Sequence, residues 1–139
     1  MPRPFKILLI DDDEDDREFF MIALKDLAHE TECQLALGAR QAFEILEQSK
    51  ALPDIIFLDL NMPLMDGRAC LAELKKKPVV QHIPVVIFST SNEQRDIADT
   101  RKLGASDFMT KPTDLSILTS YLDDLLVNQS KNQNKHHEK

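Results

Sequence analysis

Apolar residues come in short blocks along this chain. Phe5–Ile10, Ile55–Leu58 and residues 83–88 are nearly continuous apolar runs. Such runs mark parallel strands covered on both faces. Two weaker stretches, 33–37 and 105–109, predict a second and a fifth strand. The fifth is the more polar and so belongs at an edge. Between the runs the apolar spacing changes to three and four residues. Phe20, Ala23, Leu24 and Leu27 share one helical face, as do Ala39, Ala42, Phe43 and Leu46. Gly67, Cys70, Leu71 and Leu74 mark a third helix, and Leu115, Leu118, Leu122 and Leu125 a fifth, over 114–127. The fourth helix, about 93–103, offers the core only Ile97, Ala98 and Leu103. So thin an apolar anchor predicts one of the more mobile elements. Gly38, Pro53, Pro78 and Gly104 punctuate the pattern.

Five strand–helix repeats predict an α/β protein with one parallel sheet covered on both faces. Right-handed crossovers make it doubly wound. The expected fold is a five-stranded, flavodoxin-like sheet in the order 2-1-3-4-5. One domain is expected over 1–128. From Asn128 the residues are Asn, Gln, Ser, Lys, His and Glu, so 129–139 predicts a polar, disordered tail.

Composition narrows the partners. The chain has 139 residues and a formal charge of -7, which argues against nucleic acid and against anionic lipid. No apolar run is long enough to span a bilayer, and the start has no signal-peptide pattern. Cys33 and Cys70 form neither a disulfide framework nor a metal spacing. They read as small hydrophobes, and a cytoplasmic address is expected.

The candidate chemistry lies at strand ends. Asp11 and Asp12 follow the first strand, Asp59 the third, Ser89 the fourth and Lys111 the fifth. In an open α/β sheet the crevice beyond the carboxyl ends of the strands is the binding edge. Strands one and three are neighbours there, so three carboxylates share one crevice. At ~4 Å and an effective dielectric near 20, each like-charged pair costs roughly 4 kcal/mol. Lys111 supplies one positive charge, and a hard divalent cation such as Mg2+ supplies two more while leaving room for a phosphoryl group. Asp59 is then a candidate nucleophile for an acyl phosphate, with Lys111 and Ser89 placed for the phosphoryl oxygens. Asp13 to Asp16 have a simpler reading, as acids at the positive end of a helix.

With Asp11-Asp12, Leu58-Asp59-Leu60-Asn61-Met62-Pro63-Leu64-Met65-Asp66-Gly67, Ser89 and Lys111-Pro112 at this spacing, the chain resembles the receiver domains of two-component response regulators. The resemblance covers about 4–127 and is nearest to small stand-alone receivers. It implies a phosphoacceptor signalling protein, not an enzyme, that assists its own phosphorylation and dephosphorylation. Asp59 would take phosphate from a histidine kinase or a histidine phosphotransfer protein. Asp12, Asp59 and the backbone carbonyl of Asn61 would hold Mg2+, with Asp11 acting through a metal-bound water. Lys111 would pair with the phosphoryl group, and the bond before Pro112 would be cis. Ser89 would move to the phosphate and Phe108 would turn inward, changing the surface of helix four, strand five and helix five for an unidentified downstream protein. Such a protein is a monomer or a phosphorylation-dependent dimer, and the chain does not say whether it ends a pathway or relays phosphate. The family often has threonine at the Ser89 position and a hydroxylated aromatic at the Phe108 position.

The same residues admit three other readings. A haloacid-dehalogenase-type phosphatase also uses a strand-end aspartate and Mg2+, but its second acid is replaced here by Asn61. An adaptor could keep the fold without phosphorylation, although all the site residues are present. A flavodoxin would need a phosphate-cradling loop after strand one, where this chain is acidic. His29 and His82 read as surface loop residues, and Met62, Met65 and Met109 as packing.

Overall fold

The computed structural model describes residues 3–62 and 66–137. Met1, Pro2, Glu138, Lys139 and the loop residues Pro63, Leu64 and Met65 lie outside the described residues, so the packing role expected of Met65 does too. Strands and helices alternate as β1 (Phe5–Ile10), α1 (Glu14–Lys25), β2 (Thr31–Ala36), α2 (Ala39–Gln48), β3 (Ile55–Leu58), α3 (Gly67–Lys76), β4 (Val85–Ser89), α4 (Gln94–Lys102), β5 (Asp107–Thr110) and α5 (Leu115–His137). All strand pairs are parallel, in the order β2-β1-β3-β4-β5. This is the doubly wound, flavodoxin-like sheet that the apolar blocks predicted.

Successive residues of a strand point to opposite faces, and each face of this sheet has its own core. Leu8, Ile10, Ile56, Leu58 and Ile87 pack with Ala39, Ala42 and Leu46 of α2 and Cys70, Leu71 and Leu74 of α3. Ile7, Leu9, Ile55, Phe57, Val86 and Phe88 pack with Phe20, Ala23 and Leu24 of α1 and Leu118 and Leu122 of α5. Phe20, Phe57 and Phe88 meet edge to face, with ring centres 5.0–6.2 Å apart. Full burial of such side chains stabilises the fold by roughly 1.5–3 kcal/mol each. β3 and β4 are buried along their whole length, whereas β2 and β5 are the half-exposed edges.

Several boundaries differ from those expected. β2 starts at Thr31 because its ladder with β1 begins opposite Phe5. β4 and β5 run one residue further, so that Ser89 pairs with Thr110. The buried stripe of α5 is Leu118, Leu122 and Leu126, a strict four-residue step, with Leu125 only partly buried. α5 also continues to His137, through the segment expected to be a disordered tail. That segment contains no glycine or proline to stop a helix already nucleated and packed upstream. No described peptide bond is cis. The expected cis bond before Pro112 is therefore corrected to trans, the isomer that an X–Pro bond favours by about 0.5–1 kcal/mol where the chain path permits it. Gly104 closes α4 at φ 109°, a left-handed conformation suited to glycine. His29, read as a surface loop residue, approaches Asp123 at 3.4 Å. Among the described residues, no helix is long and apolar enough to cross a membrane.

Candidate functional site

The carboxyl ends of β1, β3, β4 and β5 meet at one edge. Asp11 follows β1 with its backbone N–H on the Ala36 carbonyl, and Asp59 follows β3 with its N–H on the Ile10 carbonyl. These sheet-type bonds hold both aspartates one residue past their strands, at the end of the core. Asp11, Asp12 and Asp59 each present an oxygen within 4.8 Å of the others. Asp11 is fully buried and Asp59 is 5% exposed, while Asp12 faces solvent.

Lys111 reaches this group from the loop after β5. Its backbone N–H donates to the Ser89 carbonyl at 2.7 Å, which continues the β4–β5 ladder. Its ammonium, 9% exposed, lies 2.7 Å from Asp16, 2.9 Å from Asp11 and 3.4 Å from Asp59. It also stands 5.7 Å from the centre of the Phe88 ring, which joins the site to the aromatic core.

The charges disturb one another. The Asp59 carboxyl is raised to about 6: burial pushes it up most, Lys111 pulls it down, and Asp11 adds to the rise. Burial alone would lower Lys111, but its hydrogen bond to Asp16, its close contact with Asp11 and the charges of Asp11 and Asp59 prevail and raise it. The fit to a cation rests on a separate observation. Asp11 Oδ2 is buried with no hydrogen-bond partner of acceptable geometry, although Lys111 is close in charge contact. A buried carboxylate oxygen left in that state is suited to a hard cation.

The loop after β3 is shaped by two contacts. The Asn61 N–H donates to Asp59 Oδ1 at 3.3 Å. Gly67 opens α3 with its N–H on the Leu60 carbonyl. A Cβ there would lie 2.5 Å from the Asp59 carbonyl oxygen and from the Leu60 Cα. Only glycine lets α3 start this close to the end of β3.

Ser89 is fully buried at the end of β4 and accepts the Ser91 N–H at 3.2 Å. Ser91 in turn donates its hydroxyl to Asp96 of α4 and accepts Thr110 Oγ1 on its carbonyl at 2.9 Å. Arg68 of α3 donates to Asp96 and lies 3.8 Å from Asp99. The Ser91 hydroxyl and then Arg68 hold the Asp96 carboxyl below the usual range. A polar chain thus runs from Ser89 through Ser91 and Asp96 to Arg68. Phe108 sits opposite Ile87, half-buried against the core under α2 and α3.

The sequence model of the response regulator receiver domain matches residues 7–123. The chain belongs to the response regulator receiver family. Response regulator Rcp1 of Synechocystis is 32% identical over 120 residues, covering 83% of this chain and 82% of that protein. Response regulator PleD of Caulobacter vibrioides is 37% identical over 109 residues, 78% of this chain but 23% of that longer protein. The crystal structure of the phosphorylated cyanobacterial phytochrome response regulator RcpA superimposes with a TM-score of 0.79 at 33% identity, covering 88% and 91% of the two chains. The Mn2+-bound form of Rcp1 gives 0.76 at 31% identity, covering 88% and 91%.

This receiver domain gathers Asp11, Asp12, Asp59, Ser89 and Lys111 at one edge, with the Asn61 backbone beside Asp59, while Phe108 lies back within β5, opposite Ile87. The sequence reading missed Asp16, which it assigned to helix-end electrostatics. It also missed Arg68 and Asp96. Nothing in their spacing marks them, because their meeting depends on how α1, α3 and α4 pack. Gly67 was read as a loop and helix-start residue within the Leu58–Gly67 motif, but not for its close approach to the backbone of Asp59 and Leu60.

Proposed function

We propose that this receiver accepts a phosphoryl group on Asp59 and passes the change to the surface of α4, β5 and α5. The observation that carries this reading is the convergence of Asp11, Asp12 and Asp59 on one buried edge with the Lys111 ammonium among them. The phosphoryl donor would be a phosphohistidine on a kinase or a phosphotransfer protein. An Asp59 oxygen forms the new bond to phosphorus as the phosphorus–nitrogen bond breaks, and the donor imidazole keeps the electron pair. Asp12, Asp59 and the Asn61 carbonyl would hold Mg2+, with Asp11 acting through water. When bound, Mg2+ offsets the charge on the transferring oxygens. The Mn2+-bound form of Rcp1 supports a divalent ion at such an edge.

Lys111 lies near enough to turn from Asp59 to a phosphoryl oxygen. Ser89 offers its hydroxyl, and its movement would pull on Ser91 and through it on Asp96. Phosphorylation adds about -1.5 to -2 charge and three acceptor oxygens. α4 is the element suited to respond, since Thr100 is its one buried residue. A partner senses the change only if its affinity differs between the two arrangements.

The test is intact mass after incubation with acetyl phosphate and Mg2+, beside Asp59→Asn. One phosphoryl group, dependent on Mg2+ and absent from the variant, is expected. No addition, even with a promiscuous phosphodonor protein, would reject phosphorylation and leave an adaptor with the receiver fold.

A further inference from the structure

Lys111 is shared among three carboxylates, and the nearest is one that the phosphoacceptor chemistry does not use. Asp16 stands in the first turn of α1, 2.7 Å from the ammonium and outside the converging group of Asp11, Asp12 and Asp59. Its side chain does not cap the helix. That task falls to Asp13, whose carboxylate accepts the Asp16 N–H at 3.0 Å. Arg17, the next residue, is engaged with the Asp11 carbonyl. Asp16 is 36% exposed, so it gives the ammonium a partner nearer to solvent than the buried oxygens of Asp11 and Asp59, which lie 2.9 and 3.4 Å from it.

The consequence is electrostatic. With Asp11 and Asp59 as its only partners, the ammonium would settle between them. A divalent cation entering the same edge would then meet a positive charge in direct competition. We propose that Asp16 is a positioning residue: it holds the Lys111 ammonium at the α1 side of the edge and keeps Asp11, Asp12 and Asp59 available to a divalent cation. The purpose of this arrangement rests on the phosphoacceptor reading above, but the metal affinity that tests it needs no phosphate.

The experiment is calorimetric titration of the full chain with MgCl2, for wild type, Asp16→Asn, Lys111→Met and the double variant. Asp16→Asn should weaken Mg2+ binding about tenfold when Lys111 is present, and about twofold or less in the Lys111→Met background, where only a distant charge is lost. Equal weakening in both backgrounds, or none in either, overturns the proposal. In the metal-free protein the side-chain nitrogen NMR signal of Lys111 should move on Asp16→Asn. A role confined to helix stability would leave that signal in place, and an unmoved signal also overturns the proposal. Phosphoryl addition to wild-type Asp59 is scored separately. Its failure beside a strong Asp16–Lys111 coupling would reject the phosphoacceptor reading alone, and its success without the coupling would reject the positioning role alone.

Discussion

α3 and α4 both lead away from the same edge of the sheet, yet they are held by different forces. α3 buries Gly67, Cys70, Leu71 and Leu74, and its first residue is pressed against the backbone of Asp59 and Leu60. α4 buries Thr100, whose hydroxyl is spent on carbonyls of its own helix. What ties α4 to its neighbours is polar: Arg68 to Asp96 and Asp99, and the Ser91 hydroxyl to Asp96. Apolar burial is insensitive to small changes of charge, and a half-exposed ion pair is not. One helix is therefore built to stay where it is, and the other is held by groups that a new charge at Asp59 can disturb.

The contrast breaks most directly with paired truncations. Leu71→Ala in α3 should cost about 2–5 kcal/mol in urea unfolding, as expected for a fully buried leucine. Ile97→Ala in α4, at a partly buried position, should cost about 1 kcal/mol or less. Equal losses would remove the distinction. Gly67→Ala should cost about 1–3 kcal/mol, because the added methyl meets backbone and not a flexible side chain. Mg2+ affinity should fall with it if α3 and the Asp59 carbonyl are forced apart.

The edge itself is expected to reduce stability when no divalent ion is bound. The Asp59 carboxyl is raised to about 6, above the ordinary range for an unfolded chain. Stability linked to this group is fully present below the unfolded value and is lost as pH rises through 6. Without divalent ions, Asp59→Asn should accordingly be more stable than wild type at pH 7, by about 1–3 kcal/mol. The gap should close as pH falls toward 4, and thermal unfolding across that range checks the sign. The smallest effect on stability is expected of Arg68→Ala, under about 1 kcal/mol, because the pair is partly solvated. Its hydrogen-exchange protection should nevertheless drop in α4 and not in α3. Uniform loss across both helices would show that the polar ties are not specific to α4.

The buried runs of β1, β3 and β4 were legible because strands covered on both faces need continuous apolar residues. Asp59 stood out because a carboxylate ending such a run has no place in a core. The edge strands were less clear. β2 and β5 are half-exposed, so their limits are set by the ladder partner and not by composition. α5 runs past Val127 to His137 although the residues there are polar, since a helix already nucleated and packed continues until something breaks it.

The chain by itself determined the order of elements, the parallel sheet and the set Asp11, Asp12, Asp59, Ser89 and Lys111, since the apolar strand runs place every one of them at or just past a carboxyl end. Tertiary structure decided how those charges are shared. Asp16 claims Lys111, and Arg68 meets Asp96, across elements separated by long stretches of chain. Such pairings depend on helix placement to within a few ångströms. A local pattern of polar residues cannot encode that, because every acid in the first turn of α1 has the same sufficient reason to be there.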